Sequence, residues 1–312
     1  MWTSDFFLTA RSAARRALAD LELNSPLLAG RASKWLASRC NPDQPESYFT
    51  HPQAVPILAL PWWLETSIRG HVDVTFQADL MYSTINGYYF ARIVDDLMDG
   101  HNIDCTVLPS LYFFIMKFHN TYHKYFGRTD SFWSEFERLL METADSAAAD
   151  CALEDIGATA FVQVSARKSA AGAIPMAAVC YLYKRAELLA PWEGLFRLFG
   201  CWHQMGDDLA DWSDDSENGL RTWLLSEADR QRSANESIPA WMGRVGFQWA
   251  FEKMEGWMEE ILAAGEGLNS PELVSYLSQR RESCRREVTA LVNTAAAYAK
   301  LLQLDYVPQV QP

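Results

Sequence analysis

Residues 88–100 read YYFARIVDDLMDG, an apolar run closed by Asp95, Asp96, Asp99 and a glycine. The apolar residues recur at helical spacing, and on a helix positions i and i+4 stand one above the other. Asp95 and Asp99 therefore present carboxylates to one point, with Asp96 beside them through its i+3 relation to Asp99. Like charges at this spacing repel by about 0.2–0.5 kcal/mol when exposed, and by more when partly buried. The pattern asks for a compensating cation. Mg²⁺ is a hard ion that takes one or two carboxylates together with substrate phosphate oxygens, and this arrangement supplies such ligands. The plain alternative is a solvated helix end.

A second run, HQMGDDLADWSDD from His203 to Asp215, repeats the geometry with Asp207, Asp211 and Asp215 at i, i+4 and i+8, flanked by Asp208 and Asp214. FRLFGCW precedes it and WLL follows it closely, so this acidic stripe belongs to a helix that otherwise packs inside. One acidic run usually coats a surface; two on apolar helices read as two walls of one cavity. Opposed carboxylates holding several Mg²⁺ ions make a clamp for a diphosphate and stabilise it as a leaving group. Aromatic residues form 13% of the chain, and Tyr82, Tyr88, Tyr89, Phe90, Trp202, Trp212 and Trp223 lie beside the clusters. Ring faces stabilise a developing cation. Each ring taken singly reads equally as core packing.

Outward from the clusters, periodicity is helical nearly everywhere, and alternating β-branched runs are almost absent. Helices are predicted over about 5–22, 27–38, 57–68, 74–99, 107–126, 130–153, 157–170, 173–189, 192–214, 219–231, 238–264 and 271–303. Breaks fall at the Pro-rich stretch from Asn41 to Pro56, at Gly100, at Pro191 and at Gly265 to Pro271. The expected architecture is all-α, with residues 1–312 as a single domain and no internal repeat. The 312 residues carry 27 Lys+Arg against 40 Asp+Glu, a net charge of −13, which argues against nucleic acid as the main partner. Cys40, Cys105, Cys151, Cys180, Cys201 and Cys284 are scattered without a C-x-x-C pair and read as buried thiols of a reducing compartment. The N-terminus spreads its arginines through an amphipathic pattern, unlike a secretory signal, and no apolar stretch approaches the length of a spanning helix. The expected location is cytoplasmic.

These residues resemble the class I isoprenoid synthase superfamily. Tyr88-x₃-Arg92-x₂-Asp95-x₃-Asp99 is similar to the first signature of squalene/phytoene synthases, and Asp95-Asp96-x₂-Asp99 also fits the DDxxD of trans-prenyl diphosphate synthases and terpene cyclases. Gln204-x₂-Asp207-Asp208-x₂-Asp211-x₃-Asp215 resembles the second aspartate motif of the prenyl-transferring families, and Gly219-Leu-Arg221-Thr-Trp-Leu resembles a segment of phytoene-type enzymes. Arg167-Lys168-Ser169, before a helix break at Gly172 and Pro175, resembles the Lys-Thr pair of prenyl diphosphate synthases and the diphosphate sensor of terpene cyclases. The resemblance implies a helical bundle around a central pocket, three Mg²⁺ ions with Mn²⁺ as a substitute, and ionisation of an allylic prenyl diphosphate to a carbocation. Related bundles often pair as homodimers.

Carried over residue by residue, the resemblance makes Asp95, Asp99, Asp207, Asp211 and Asp215 the principal metal ligands, with Asp96 and Asp208 supporting them. Arg92, Lys168, Arg221 and Gln204 would hold the diphosphate, and Tyr88 would orient a phosphate oxygen or accept a proton. The chain lacks the Gly-Lys-x-x-Arg and Arg-Arg-Gly segments of enzymes that use isopentenyl diphosphate. Ordinary head-to-tail elongation is therefore not expected, and the first signature's resemblance makes coupling of the squalene/phytoene type the expected reaction. A terpene cyclase acting on one substrate is the alternative, although its usual Asn-x₃-Ser-x₃-Glu triad is here Asp207, Asp211 and Asp215. A non-catalytic acidic scaffold is a third reading, and no EF-hand spacing is present. His119 and His123 read as a surface pair without the Glu of H-E-x-x-H. Arg280, Arg281, Arg285 and Arg286 read as a solvated salt-bridge face, with closure over a diphosphate as the alternative.

Overall fold

The computed structural model describes residues 4–39, 41, 43–51, 56–100, 103–150 and 152–301. Among them every regular element is helical: α1 (Ser4–Asn24), α2 (Pro26–Ala37), α3 (Ser47–Thr50), α4 (Ala59–Arg69), α5 (Val74–Met98), α6 (Ser110–Asn120), α7 (Phe132–Asp150), α8 (Ala158–Lys168), α9 (Ile174–Leu182), α10 (Leu189–Asn218), α11 (Trp223–Gln231), α12 (Ile238–Trp241), α13 (Phe247–Glu266) and α14 (Pro271–Leu301). The chain divides into two compact units, one of residues 1–140, 171–193 and 268–273, the other of residues 141–170, 194–267 and 274–312. None of the described helices is long and apolar enough to cross a membrane.

In the first unit α5 packs against both α1 and α6. Its start is fixed by Asp73, whose side chain accepts from the backbone N–H groups of Thr75 and Phe76. Its end is fixed by Gly100, which takes a left-handed φ of 71°. Phe76, Leu80, Ile85, Tyr89 and Ile93 are buried along it. Two neighbours reach α5 through small residues. On α1 these are Ala10, Ala13, Ala14 and Ala17, none more than 3% exposed. On the α6 side, a Cβ at Gly87 would lie 2.7 Å from the Phe118 ring.

Two buried carboxylates tie this unit together. Asp79 accepts from Arg16 Nη1 at 2.9 Å, Lys124 Nζ at 2.8 Å and Tyr125 Oη at 2.9 Å. Burial alone would raise its pKa, but these three donors outweigh it and hold the carboxyl below its ordinary value. Glu65, fully inaccessible, accepts from Arg69 Nη1 (2.8 Å), the Asp73 N–H (2.8 Å), Gln77 Nε2 (2.8 Å) and Tyr183 Oη (2.6 Å). One side chain thereby joins α4, the start of α5 and the chain just after α9.

In the second unit, Phe161 of α8, Trp223 of α11 and Trp257 of α13 pack as a ring cluster, with centroid separations of 4.9 Å for Phe161–Trp223 and 5.5 Å for Phe161–Trp257. Glu142 receives a two-pronged bond from Arg197, both arms at 2.7 Å, and a third from Arg167 at 3.1 Å. Between α12 and α13 the residues Met242–Gly246 form a π-helical turn.

The predicted helices are recovered with local differences. The stretch expected to be only a break also holds the single turn α3. The segment expected over 173–189 stops at Leu182, because Lys184 adopts a φ of 56° and reverses the chain. Pro191 does not break α10 but sits in its first turn, where a missing N–H costs nothing. Thr222 caps α11, its hydroxyl accepting from the Leu225 N–H at 3.2 Å, so that helix begins at Trp223 and not near Gly219. Cys180, Cys201 and Cys284 are buried free thiols as expected, but Cys105 is exposed, and Cys40 and Cys151 lie outside the described residues.

Replacing Glu65 by Ala removes the shared acceptor of four donors, of which Gln77 is fully buried. It is expected to lower stability in urea unfolding by about 3–5 kcal/mol, while Glu65→Gln, which keeps the shape and an acceptor, loses less.

Candidate functional site

The first aspartate group lies at the C-terminal end of α5. Asp99 is the C-cap, its N–H bonded to the Asp95 carbonyl at 2.9 Å, and Gly100 turns the chain away immediately after. Asp95 and Asp99 are half-buried, whereas Asp96 is fully inaccessible. The Asp96 carboxylate takes Trp35 Nε1 at 3.0 Å and Arg39 Nη2 at 2.6 Å on one oxygen, and Arg92 Nε lies 3.2 Å from the other. Arg92 also reaches Asp95, Nη1 to Oδ2, at 3.2 Å. Burial would lower the pKa of Arg92, but Tyr88, Asp95, Asp96 and Tyr48 outweigh that and raise it, so its charge is secure. The Tyr88 hydroxyl is hydrogen-bonded to that of Tyr48 on α3, and the Tyr88 ring packs edge-on against Phe49 at 5.3 Å.

Within this unit the structure thus brings Tyr88, Arg92, Asp95 and Asp96 together, and adds Trp35, Arg39 and Tyr48, which the sequence reading did not single out. Asp96 is the anchor for two arginines. Asp95 and Asp99 are the more accessible carboxylates, one turn apart as the i+4 spacing requires.

The second group lies along the C-terminal half of α10. Gln204 Nε2 donates to Asp208 Oδ1 at 2.8 Å, and His203 Nδ1 lies 3.1 Å from Asp207 Oδ2. Asp208 is 4% exposed, whereas Asp207 and Asp211 are exposed and Asp215 is half-buried. Burial pushes the Asp208 carboxyl up to about 7; the Gln204 bond opposes this, while Asp215, Asp207 and Asp150 reinforce it. Asp150 closes α7, and its Oδ2 holds Lys168 Nζ at 3.0 Å. Lys168 is the last residue of α8, and a 3₁₀ turn over Ala170–Ala173 follows, so the predicted break after it is present.

At Gly200, α10 passes α8 so closely that a Cβ there would lie 2.8 Å from both the Ser165 carbonyl oxygen and Ser169 Oγ. Gln204, Asp208 and, through Asp150, Lys168 are therefore associated within this unit. Arg221 is placed differently from the diphosphate set: it is exposed, just past Gly219 with φ 70°, and pairs with Asp229 of α11 at 3.1 Å. Arg281 and Arg285 behave as a salt-bridge face, both bonded to Glu255. His119 and His123 meet edge-on with ring centroids 4.9 Å apart, and both pack at a tilt against Trp133.

The donors at both helix ends are hard carboxylate oxygens, the type Mg²⁺ prefers. Among the described residues no three of His, Cys, Asp or Glu come together so that they could hold a metal ion by themselves. Neither α5 nor α10 carries a basic residue in its last turn. The carboxylates there face the negative end of the helix dipole, and a cation relieves both repulsions.

No family model matches the chain, and no curated protein matches it. Solved structures do. A geranylgeranyl pyrophosphate synthetase from the archaeon Geoglobus acetivorans is similar with a TM-score of 0.65 at 14% identity, over 89% of this chain and 99% of that one. A protein described as a geranylgeranyl pyrophosphate synthase from Corynebacterium glutamicum gives 0.62 at 17% identity, over 91% and 96%. The chain has the all-α fold of these two structures.

Asp208 gives a pH signature in metal-free protein. Its folded carboxyl holds a proton up to about pH 7, whereas the unfolded one releases it near 4, so the folded state is penalised progressively as pH rises between these values. In EDTA, Asp208→Asn is expected to gain stability over wild type as pH rises, by up to about 1.4 kcal/mol per pH unit between pH 4 and 7. Parallel urea titrations check this; a difference that is flat with pH contradicts it.

Proposed function

We propose that the chain is a Mg²⁺-dependent class I isoprenoid synthase that ionises an allylic prenyl diphosphate and passes the cation to an isoprenoid acceptor. The observation that carries this reading is the gathering of carboxylates at the C-terminal ends of two apolar helices, α5 and α10, in a chain with the prenyl synthase fold. The neighbours' names are those of enzymes making geranylgeranyl diphosphate, which supports prenyl transfer as the general chemistry. In this reading residues 1–312 work as one catalytic domain.

Bound Mg²⁺ would neutralise the diphosphate and stabilise it as a leaving group. Asp95 and Asp99 are the ligands at α5, and Asp207, Asp211 and Asp215 those at α10. Asp96 acts beneath the first pair by fixing Arg39 and Arg92, and Asp208 acts beneath the second set through Gln204. Arg92 and Lys168 hold phosphate oxygens, each already oriented by a carboxylate. Arg221 joins them by exchanging its exposed partner Asp229 for phosphate.

The allylic C–O bond breaks, its electron pair leaves with the diphosphate, and the cation is sheltered by aromatic faces. An alkene carbon of the acceptor then attacks, the new C–C bond forms, and the cation is quenched, by proton loss in the simplest outcome. Tyr88, held by Tyr48, orients a phosphate oxygen or accepts that proton.

The acceptor in this reading is a second prenyl diphosphate, coupled as in the squalene/phytoene type, because the Tyr88-to-Asp99 spacing is the one that family uses. A terpene cyclase, in which the substrate's own alkene captures the cation, is the second reading. The missing Gly-Lys-x-x-Arg and Arg-Arg-Gly segments favour it.

Purified protein incubated with geranyl, farnesyl or geranylgeranyl diphosphate, alone and with isopentenyl diphosphate, is expected to release inorganic diphosphate only when Mg²⁺ is present. Asp95→Ala and Asp211→Ala should each reduce kcat by about 10²-fold or more without changing the melting temperature appreciably. Mass spectrometry then assigns the acceptor: summed carbon number means coupling, and an unchanged carbon number means cyclisation. Folded protein that turns over none of these substrates overturns the proposal.

A further inference from the structure

The basic stripe on α14 divides in two. Arg281 and Arg285 reach outward to Glu255, at 3.1 and 2.9 Å, and Arg281 also to Glu259 at 2.8 Å. Arg280 points inward, is 9% exposed, and has no hydrogen-bond partner on Nε or Nη1. Its guanidinium lies over the Trp202 ring of α10, 4.7 Å from the centroid. Phe199 completes an aromatic wall, 6.4 Å from both Trp202 and Tyr276.

Among the described residues no carboxylate forms an ion pair with Arg280. The groups in electrostatic reach of Arg280 on its own helix are Tyr276 and Cys284, one turn to either side. Burial pushes the phenol up to about 12 and the thiol up to about 11, so both are neutral near pH 7. Glu255, which acts on Cys284, is already occupied by Arg281 and Arg285. A guanidinium always keeps its proton, so Arg280 cannot escape the burial cost by neutralising itself, as a lysine could. A cation–π contact covers one face and leaves the N–H groups in the ring plane unmet. A largely buried guanidinium with no counter-ion in reach and two of its three nitrogens buried without a hydrogen bond is an exception that calls for a ligand.

We infer that Arg280 anchors an oxyanion-binding subsite in the second unit that takes a phosphate or diphosphate group against the Trp202, Phe199 and Tyr276 rings. The planar fork of a guanidinium matches two oxygens of a phosphate, and the neighbouring aromatic rings suit an organic phosphate as well as the inorganic ion. The subsite is separate from the second aspartate group. Trp202 and Asp208 lie on the same helix, but at about 100° per residue they fall about 120° apart around it. The inference does not rest on the proposed prenyl chemistry, and its test needs no turnover.

The full chain in EDTA, where divalent ions are absent, is titrated calorimetrically with inorganic phosphate, inorganic diphosphate and an unreactive thiodiphosphate analogue of farnesyl diphosphate. Wild type is expected to bind one oxyanion per chain, and the Asp95→Ala/Asp211→Ala double variant the same. Arg280→Met should weaken binding at least about tenfold, and Arg280→Lys should retain part of it. Preference for the analogue over the inorganic ions marks an organic phosphate as the natural ligand; the reverse order marks free phosphate or diphosphate. Phosphate should also raise the wild-type melting temperature above that in sodium chloride of equal ionic strength. No uptake by wild type overturns the inference, as does equal affinity in a folded Arg280→Met protein. If Arg280→Met does not fold, the wild-type titration and the Arg280→Lys comparison decide.

Discussion

Negative charge at the C-terminal end of a helix is opposed twice, once by its own kind and once by the carbonyls that end the helix. This chain places Asp95, Asp96 and Asp99 at the end of α5, and Asp211, Asp214, Asp215 and Glu217 in the last turns of α10. Much of the surrounding structure answers that opposition. At α5 the answer is cationic: Asp96 is sunk among Arg39, Arg92 and the Trp35 indole. At α10 the answer is a proton, because burial raises the Asp208 pKa, while Lys168 is held close by on Asp150. In both units the deepest aspartate is met by neighbouring groups of the protein, and the aspartates around it stay more accessible.

The fold was legible because its signal is long and redundant. α5, α10 and α13 each repeat the apolar period over many turns, and α5 is bounded by the capping Asp73 and the left-handed Gly100. The aspartate spacing was legible for the same reason, since i and i+4 face together on any helix. What the residues meet was not. Trp35 and Asp96 are 61 positions apart, and neither carries a mark that names the other. Tyr48 reaches Tyr88 from a four-residue helix too short to show a period. Asp150 looks like any acidic helix end until Lys168 is folded against it. The stripe from Arg280 to Arg286 reads as one solvated face because periodicity ignores which side a neighbouring helix covers. Arg281 and Arg285 do meet glutamates, Arg286 meets Ser283, and Arg280 lies over the Trp202 ring.

The comparisons carry a related lesson about what such a fold requires. At 14% and 17% identity the solved neighbours share the architecture along nearly the whole chain, while no family model matches. A helical core accepts extensive exchange of apolar residues when volume and pattern are kept. Buried polar clusters tolerate less, because an acceptor such as Glu65 must meet all four of its donors. Divergence of this depth leaves the packing recognisable and puts the chemical identity of the chain into a small number of such clusters.

Gly200 has no functional group, yet it sits where α8 ends and the basic residue of the second unit begins. Its missing side chain is occupied by the Ser165 carbonyl and the Ser169 hydroxyl, the residues that bracket Lys168. A single methyl group there would lever the end of α8 outward and carry the ammonium away from Asp150, without touching either residue of the pair. Position 200 is thus a spacer whose thickness is zero.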